Sequence, residues 1–396
     1  MPYQFRTFYF ILPTFFLFYT KLYYSELKTL LIFFPFLLYA LASSYFCINR
    51  PELHYETSMT GRVFLFICEA FFMFGAAFCF RDRSSSNEKN RLIRLYLYGF
   101  FISLFIGYIL FIGFYLKIFS LAFVNRFMII TQFAWGLLRF APGTYANEYG
   151  IVASFVASIL LLLIAERKNP YFQIGLSKRF LYPLFYLTFF ALLLTTTRAA
   201  YISFLLGIIY IICISRSFRN LLFYALFAGT FILTLIGPKL RFLLMALSNA
   251  FSMRGYQSYS MQVRFDHWIE SFEAYSSFPL FGRGFGALFY VHNVYIEFFA
   301  ELGVIGSLTL VAFVIAYFMQ HNKTIKKIFF KRWAAPTELF SNRVIVLGLI
   351  HVFWFAATNH NINHHLTWMV FLLFNINLFA RSSNKKMLDT SLQQTV

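Results

Sequence analysis

Long apolar runs separated by short polar segments fill this chain from end to end. A helix that crosses a bilayer needs about 20 consecutive, mainly apolar residues. This criterion predicts eleven spans, near residues 7–22, 28–48, 62–80, 95–116, 150–165, 181–197, 199–214, 221–237, 303–319, 343–358 and 366–380. A twelfth stretch, 118–140, contains Asn125, Arg126, Gln132 and Arg139. Because such side chains are costly in hydrocarbon, we predict an interfacial helix there.

The composition agrees with the pattern. Of the 396 residues, 60% are hydrophobic and only 12% are charged, which excludes an ordinary soluble protein. The sequence therefore predicts an all-α polytopic membrane protein with about 11–12 transmembrane helices, in which residues 1–396 form a single membrane domain.

The basic residues behind the net charge of +19 are distributed as the predicted membrane topology requires, so the charge does not indicate nucleic-acid binding. Nineteen of the 34 Lys and Arg residues fall on one predicted side, in segments 81–94, 166–180, 215–220, 320–338 and the tail from 381. Basic loops mark the cytoplasmic side, so 381–396 is predicted to be a cytoplasmic tail. The same alternation puts the N-terminus outside, unless the first 60 residues or 118–140 hold one more span.

One loop is much longer than the others. Residues 238–302, 65 residues in all, join two predicted spans on the non-cytoplasmic side. Loops longer than about 15 residues are usually functional or disordered. This one is rich in aromatic and aliphatic residues, which argues against disorder. We expect it to form amphipathic helices on the membrane surface.

The end of this loop carries the residues best suited to chemistry. Three glycines in five positions, at 282–286, permit a tight irregular turn. The turn leads to His292, which begins a helical pattern that enters the membrane at Gly303 and Gly306. A histidine at the water–lipid boundary can accept a proton from a hydroxyl near neutral pH, as general-base catalysis requires.

These residues also carry a family resemblance. His292-Asn293, nine residues and then Gly303-x-x-Gly306, preceded by the Pro-Leu-x-Gly-x-Gly-x-Gly segment 279–286, resembles the signature of the O-antigen ligase and O-antigen polymerase superfamily. Three further elements within 141–306 are similar to family motifs, at 142–148, 197–200 and 262–268. The second departs from the family's Ser-Arg-Gly-Ala, since it reads Thr-Arg-Ala-Ala.

The resemblance implies the membrane glycosyltransferase fold called GT-C and an enzyme that uses no metal or other cofactor. Its reaction would move a glycan from undecaprenyl diphosphate to an acceptor hydroxyl. Carried over by position, His292 would activate that hydroxyl, while Arg198 and Arg264 would hold the diphosphate. The chemistry of arginine independently supports the roles of Arg198 and Arg264, because guanidinium groups bind phosphate oxygens bidentately and keep their charge beside lipid. Asp266 is the only aspartate in the predicted outer segments, so a carboxylate cage for Mg²⁺ is not expected there.

Four more residues are predicted to contact substrate. Arg254 and Arg283 would extend the basic surface, and Asn147 and Asn293 would line the groove. Simpler interpretations of the arginines and of Asn147 stay open. An arginine at a helix end is often a snorkelling anchor, and Asn147 after Pro-Gly is also typical of a turn.

Three functions compete at this point. The first is a ligase that transfers the polysaccharide to lipid A core in lipopolysaccharide biosynthesis. The histidine spacing and the absence of a second long outer loop favour it. The second is an O-antigen or exopolysaccharide polymerase that extends a lipid-linked chain. A transporter or flippase of an anionic lipid is disfavoured, since the sequence shows no internal repeat and no paired broken spans.

The partners expected for either enzyme are the undecaprenyl diphosphate-linked glycan donor, a lipid A core or lipid-linked glycan acceptor and membrane lipids, without nucleic acid. The expected location is the bacterial inner membrane, as a multi-pass protein with its active site facing the periplasm.

Overall fold

The computed structural model describes residues 24–48, 74–78, 85–127, 133–134, 137–172, 174–215, 256–288, 291–330, 336–358 and 365–379. In these segments the chain is helical apart from turns and one pair of two-residue strands. The predicted all-α polytopic class is therefore confirmed. The predicted spans 7–22 and 221–237, most of 62–80, Arg254 and the 381–396 tail lie outside the described residues.

Within the described residues, eleven helices have defined bounds. They are α1 (Tyr24–Ile48), α2 (Ser86–Tyr115), α3 (Leu121–Phe127), α4 (Ala146–Ala165), α5 (Lys178–Leu194), α6 (Arg198–Ile214), α7 (Tyr256–Ser277), α8 (Val294–Gln320), α9 (Asn322–Phe329), α10 (Leu339–Thr358) and α11 (His365–Phe379). Residues 74–78 are also helical, and 3-10 turns occupy Pro170–Phe172 and Pro336–Glu338. Strands β1 (Phe133–Ala134) and β2 (Leu137–Leu138) pair antiparallel.

Five of these helices are long and apolar enough to cross a membrane, namely α1, α2, α4, α8 and α10. The helices α5, α6 and α11 are shorter apolar helices of 10–17 residues. Each of the eight spans predicted within the longer described segments coincides with one of these eight helices. The largest shifts are at the starts of α2 and α8, which begin at Ser86 instead of near 95 and at Val294 instead of near 303. Helix α8 thereby includes the predicted helical pattern after His292.

The predicted interfacial helix over 118–140 is wrong in its extent. Helix α3 ends at Phe127, and the chain continues as the strand pair of β1 and β2. Beyond β2 it has no regular secondary structure and lies beside the end of α5, where the backbone N–H of Phe140 donates to the carbonyl of Leu194 at 3.1 Å. The polar side chain of Arg139 also finds acceptors there, which favours this path over a regular helix.

Helix α4 forms the centre of the bundle. In its most apolar stretch 83% of the residues are buried, and it packs against α5, α6 and α10. Small residues allow the close approach of helices inside a membrane. An added Cβ at Gly150 of α4 would lie 3.0 Å from the Cβ of Ala200 on α6. Farther along this interface, Gly207 of α6 faces Ser158 of α4.

The outer helices bury a much smaller fraction of their apolar residues than α4 does. In α1, α2 and α8 only 33%, 33% and 22% of the most apolar stretch is buried, so most of their side chains are left for lipid. Helix α1 packs along α8, and α7 packs on the first turns of α8. The rings of Tyr275 on α7 and Phe299 on α8 have centroids 4.4 Å apart. This packing holds the described part of the long loop against the first turns of α8.

Candidate active site

A glycine turn fills a break in α8. Gly282, Gly284 and Gly286 have φ values of 72°, 112° and 87°, and Gly303 inside α8 has a φ of 62°. This left-handed region is open to glycine and rarely adopted by other residues. The three glycines predicted to permit a tight turn therefore do form one.

Backbone hydrogen bonds join the turn to the broken helix. The N–H groups of Arg283 and Gly284 donate to the carbonyls of residues 300 and 301, both at 2.9 Å. In the other direction, the N–H of Val304 donates to the carbonyl of Pro279 at 2.9 Å. The turn thus satisfies backbone groups that the break in α8 would leave orphaned.

Two of the glycines are in direct contact. A Cβ added to Gly282 would lie 2.2 Å from the carbonyl oxygen of Glu301, and a Cβ added to Gly303 would lie 2.3 Å from the nitrogen of Gly282. Neither position has room for a side chain. This close approach gives a physical reason for the glycine pattern on both segments.

Helix α1 holds the other side of the turn. The hydroxyl of Tyr39 lies 3.0 Å from the carbonyl oxygen of Phe281 and 2.8 Å from that of Leu302. The N–H of Phe285 donates to the hydroxyl of Ser43 at 3.2 Å. Residues of α1 therefore support the turn, although the sequence pattern gave no reason to connect these two parts of the chain.

His292 lies between the glycine turn and α8. It has a φ of 56°, an uncommon conformation for a residue with a side chain. On one side, the indole of Trp268 donates to the carbonyl of Val291 at 2.9 Å. On the other, the Asn293 side chain caps α8 by accepting from the N–H groups of Tyr295 and residue 296, at 3.0 and 3.2 Å. Substrate contact by Asn293 remains a prediction, and its oxygen already has this capping role.

A second histidine faces His292. The imidazoles of His267 and His292 are nearly parallel, with an angle of 8° and centroids 6.4 Å apart. His267 lies in the segment 262–268, which resembles the family, but it was not among the predicted site residues. Its spacing of three residues from Arg264 puts both on one face of α7, and this spacing is a signal that the sequence offers.

The predicted arginines Arg198 and Arg264 also lie near enough for their charges to interact. Arg198 is the first residue of α6, and Arg264 lies on α7. Burial lowers the pKa of the Arg264 guanidinium, and the nearby positive charge of Arg198 lowers it further. Two like charges close together in a partly buried site are unfavourable unless an anion offsets them. The arrangement is therefore suited to an anionic group.

Two arginine side chains in this region have unsatisfied buried donors. Within the described part of the chain, the Nε atoms of Arg264 and Arg283 are buried and have no hydrogen-bond partner. Buried polar groups in proteins nearly always have partners, so such exceptions require an explanation. Phosphate oxygens would supply acceptors for both groups.

Asn147, at the start of α4, contacts an arginine that the sequence reasoning missed. The Arg139 guanidinium donates from Nη2 to Oδ1 of Asn147 at 3.0 Å and to the hydroxyl of Thr197 at 2.8 Å. Its Nε donates to the carbonyl of Thr195 at 2.8 Å. Arg139 was interpreted only as a polar interruption of an apolar stretch. Its acceptors in the turn between α5 and α6 are more than 50 residues away, so local spacing could not reveal them.

The structure thus brings three predicted catalytic residues into one region. Arg198 neighbours Arg264, Arg264 shares a face of α7 with His267, and His267 faces His292. No group of three or more His, Cys, Asp or Glu side chains among the described residues is placed to hold a metal ion. Metal independence stays a prediction.

Comparison with known families matches the part of the chain that carries these three residues. Residues 183–311 match the family model described as O-antigen ligase. No curated protein and no solved structure matches the chain. The matched segment contains Arg198, Arg264, His292 and the glycine turn, and it begins downstream of Asn147. Over this part of the chain, the match supports the predicted resemblance to the O-antigen ligase and O-antigen polymerase superfamily.

Proposed function

We propose that this protein is an O-antigen ligase-like glycosyltransferase. It moves a polysaccharide from undecaprenyl diphosphate to a hydroxyl of lipid A core on the periplasmic face of the inner membrane. Its family consists of glycosyltransferase-like enzymes and implies lipid-linked glycan substrates and membrane lipids. The donor, the acceptor and the membrane face are the parts that we add.

The observation that carries the proposal is the cationic cluster beside a histidine pair. Arg198 and Arg264 are close together, and Nε of Arg264 is buried without an acceptor. Arg198 also opens α6, so the partial positive charge of a helix N-terminus adds to its own. A diphosphate supplies several negative charges and acceptor oxygens, which this cluster needs.

The reaction then assigns each group a role. His292 accepts the proton of the acceptor hydroxyl as its oxygen forms a bond to the anomeric carbon of the donor sugar. The bond from that carbon to the diphosphate oxygen breaks, and undecaprenyl diphosphate leaves with the bonding electrons. Arg198 and Arg264 stabilise the charge that develops on the leaving group. Arg283 binds the same anion from the glycine turn.

A polymerase would use the same groups, with a lipid-linked repeat unit as the acceptor. The spacing after His292 and the single long outer loop favour the ligase. The two activities leave different products in cells.

The test is deletion of the gene followed by electrophoresis of the surface polysaccharide. If the protein is a ligase, lipid A core should lose all polymer while lipid-linked polymer accumulates. Single repeat units on the core would indicate a polymerase. Unchanged polysaccharide would contradict both. Restoration by the wild-type gene and not by His292→Ala would attribute the effect to the proposed site.

A further inference from the structure

The turn that presents Arg198 depends on support from outside itself. Helix α5 ends at Leu194 and α6 begins at Arg198, so three threonines connect them. Thr196 has a φ of 51°, which β-branched residues rarely adopt. Such a conformation persists only where the surroundings fix it. The hydroxyl of Thr197, the N-cap residue, makes no capping bond to α6. The direction in which Arg198 points therefore depends on what holds this turn.

Arg139 supplies that support through a fork of donors. Its Nε binds the Thr195 carbonyl and its Nη2 binds the Thr197 hydroxyl, both at 2.8 Å, on either side of the strained Thr196. The same Nη2 reaches Asn147 on α4 at 3.0 Å. One planar group thus ties the turn to the central helix of the bundle.

Neighbouring contacts reinforce the fork. The N–H of Phe140, the next residue, donates to the Leu194 carbonyl at 3.1 Å. The Thr197 hydroxyl in turn donates to the carbonyl of Ala146 at 3.2 Å. Burial lowers the pKa of Arg139, and the three acceptors of its fork are neutral oxygens. In these contacts the guanidinium serves as a rigid set of donors more than as a charge partner.

We propose that Arg139 is a positioning residue that fixes the α5–α6 turn so that Arg198 is held toward the diphosphate of the donor. It does not contact the reacting atoms. This inference rests on the proposed function, because it assumes that Arg198 binds the diphosphate. A lysine at position 139 would keep the charge but could not reproduce the fork.

The test is a double-mutant cycle with undecaprenyl diphosphate as the probe. The dissociation constant would be measured for the full-length wild type, Arg139→Lys, Arg198→Lys and the double variant in lipid nanodiscs, together with their melting temperatures. Each single substitution should weaken binding about tenfold, since a hydrogen bond to a charged group is lost or misaligned. The double variant should bind about as weakly as Arg198→Lys alone, because Arg139 acts through Arg198.

Arg343→Lys is the matched control. Arg343 is also a buried arginine. It lies near Glu166, which directly follows α4, whereas Arg139 contacts Asn147 at the start of α4. The two ends of this 20-residue helix are about 30 Å apart. The control should keep the wild-type dissociation constant. If Arg139→Lys does not fold, Thr197→Val removes one arm of the fork and should show the same coupling to Arg198→Lys.

The outcomes separate the two proposals. Wild-type binding by Arg198→Lys would contradict the diphosphate site itself. Weakened binding by Arg198→Lys together with wild-type binding by Arg139→Lys would overturn only the positioning role. Full additivity of the two substitutions would also overturn it, because a residue that acts through Arg198 cannot weaken binding further once Arg198 is changed.

Discussion

Gly282 and Gly303 occupy the space that each other's side chain would need. Their contact lets a surface turn replace the backbone hydrogen bonds lost at the break in α8, and it sets the position of the chain that leads to His292. The glycine pattern was visible in the sequence, because glycine has a special conformational role that linear spacing reveals. The contact partner was not visible, since it depends on how the turn folds back onto α8.

Gly303→Ala should therefore destabilise the protein. The added Cβ would lie 2.3 Å from the backbone nitrogen of Gly282, at a φ of 62°. We expect a cost of at least about 1–3 kcal/mol and a lower melting temperature. Gly99→Ala in α2 is the control, because an added Cβ there has no neighbour within 4 Å. That change should be neutral or stabilise by up to about 1 kcal/mol. Equal melting temperatures for both variants would contradict the account.

Arg139 shows the limit of sequence reasoning at the residue scale. Its charge marked it as unusual within an apolar stretch, but its role depends on Thr195 and Thr197, which the fold brings close. Asn293 shows a related limit. Its place beside His292 suggested substrate contact, and the structure adds the capping of α8, which depends on where the helix begins.

At the scale of elements, α7 has three distinct sides. Arg264, His267 and buried Ala274 face the protein. Phe265, Ile269 and Phe272 are 50%, 56% and 52% exposed and lie on a second side. The exposed residues Asp266, Glu270 and Glu273 form a third. An apolar side next to an acidic one is typical of a helix in the interface plane. The expectation of surface helices in this loop thus acquires a definite orientation.

This orientation can be measured with spin labels. A label at Ile269 should lie in lipid and be accessible to oxygen, whereas a label at Glu270 should lie in water and be accessible to a polar nickel complex. Both variants should be made in full-length protein in nanodiscs, since adjacent residues on one helix are matched controls for each other. Equal accessibility at the two positions, or the reverse order, would contradict the interfacial orientation.

Helix α1 contributes to the site from far away in the sequence. Tyr39 is 242 residues from Phe281, whose carbonyl its hydroxyl contacts. Tyr39→Phe removes that contact and should cost about 0.5–1.5 kcal/mol. Faster hydrogen exchange in residues 281–286 should report the loosened turn. Tyr24→Phe, at the exposed start of α1, should leave that exchange unchanged, and the same rate in both variants would refute the supporting role of α1.

For the whole molecule, hydropathy was enough to locate helices. A membrane-spanning segment must be long and apolar, so each predicted span in the longer described segments contains a helix. Hydropathy carries no information on which helix packs against which. It therefore missed the central place of α4 and α10 and the strand pair after α3. Family resemblance supplied the predicted functional residues, and the packing of α7 on α8 explains how the segments that carry Arg264 and His292 come together.

The most direct test of the account is glycan transfer by purified His292→Ala. With an undecaprenyl diphosphate-linked glycan as donor and lipid A core as acceptor, the variant should lose about 10²–10⁴-fold in turnover, the usual contribution of a positioned base. It should keep its melting temperature and its binding of undecaprenyl diphosphate, because Arg198 and Arg264 remain. His321→Ala, just after the other end of α8, should keep the wild-type rate. Transfer by His292→Ala at the wild-type rate would contradict the account.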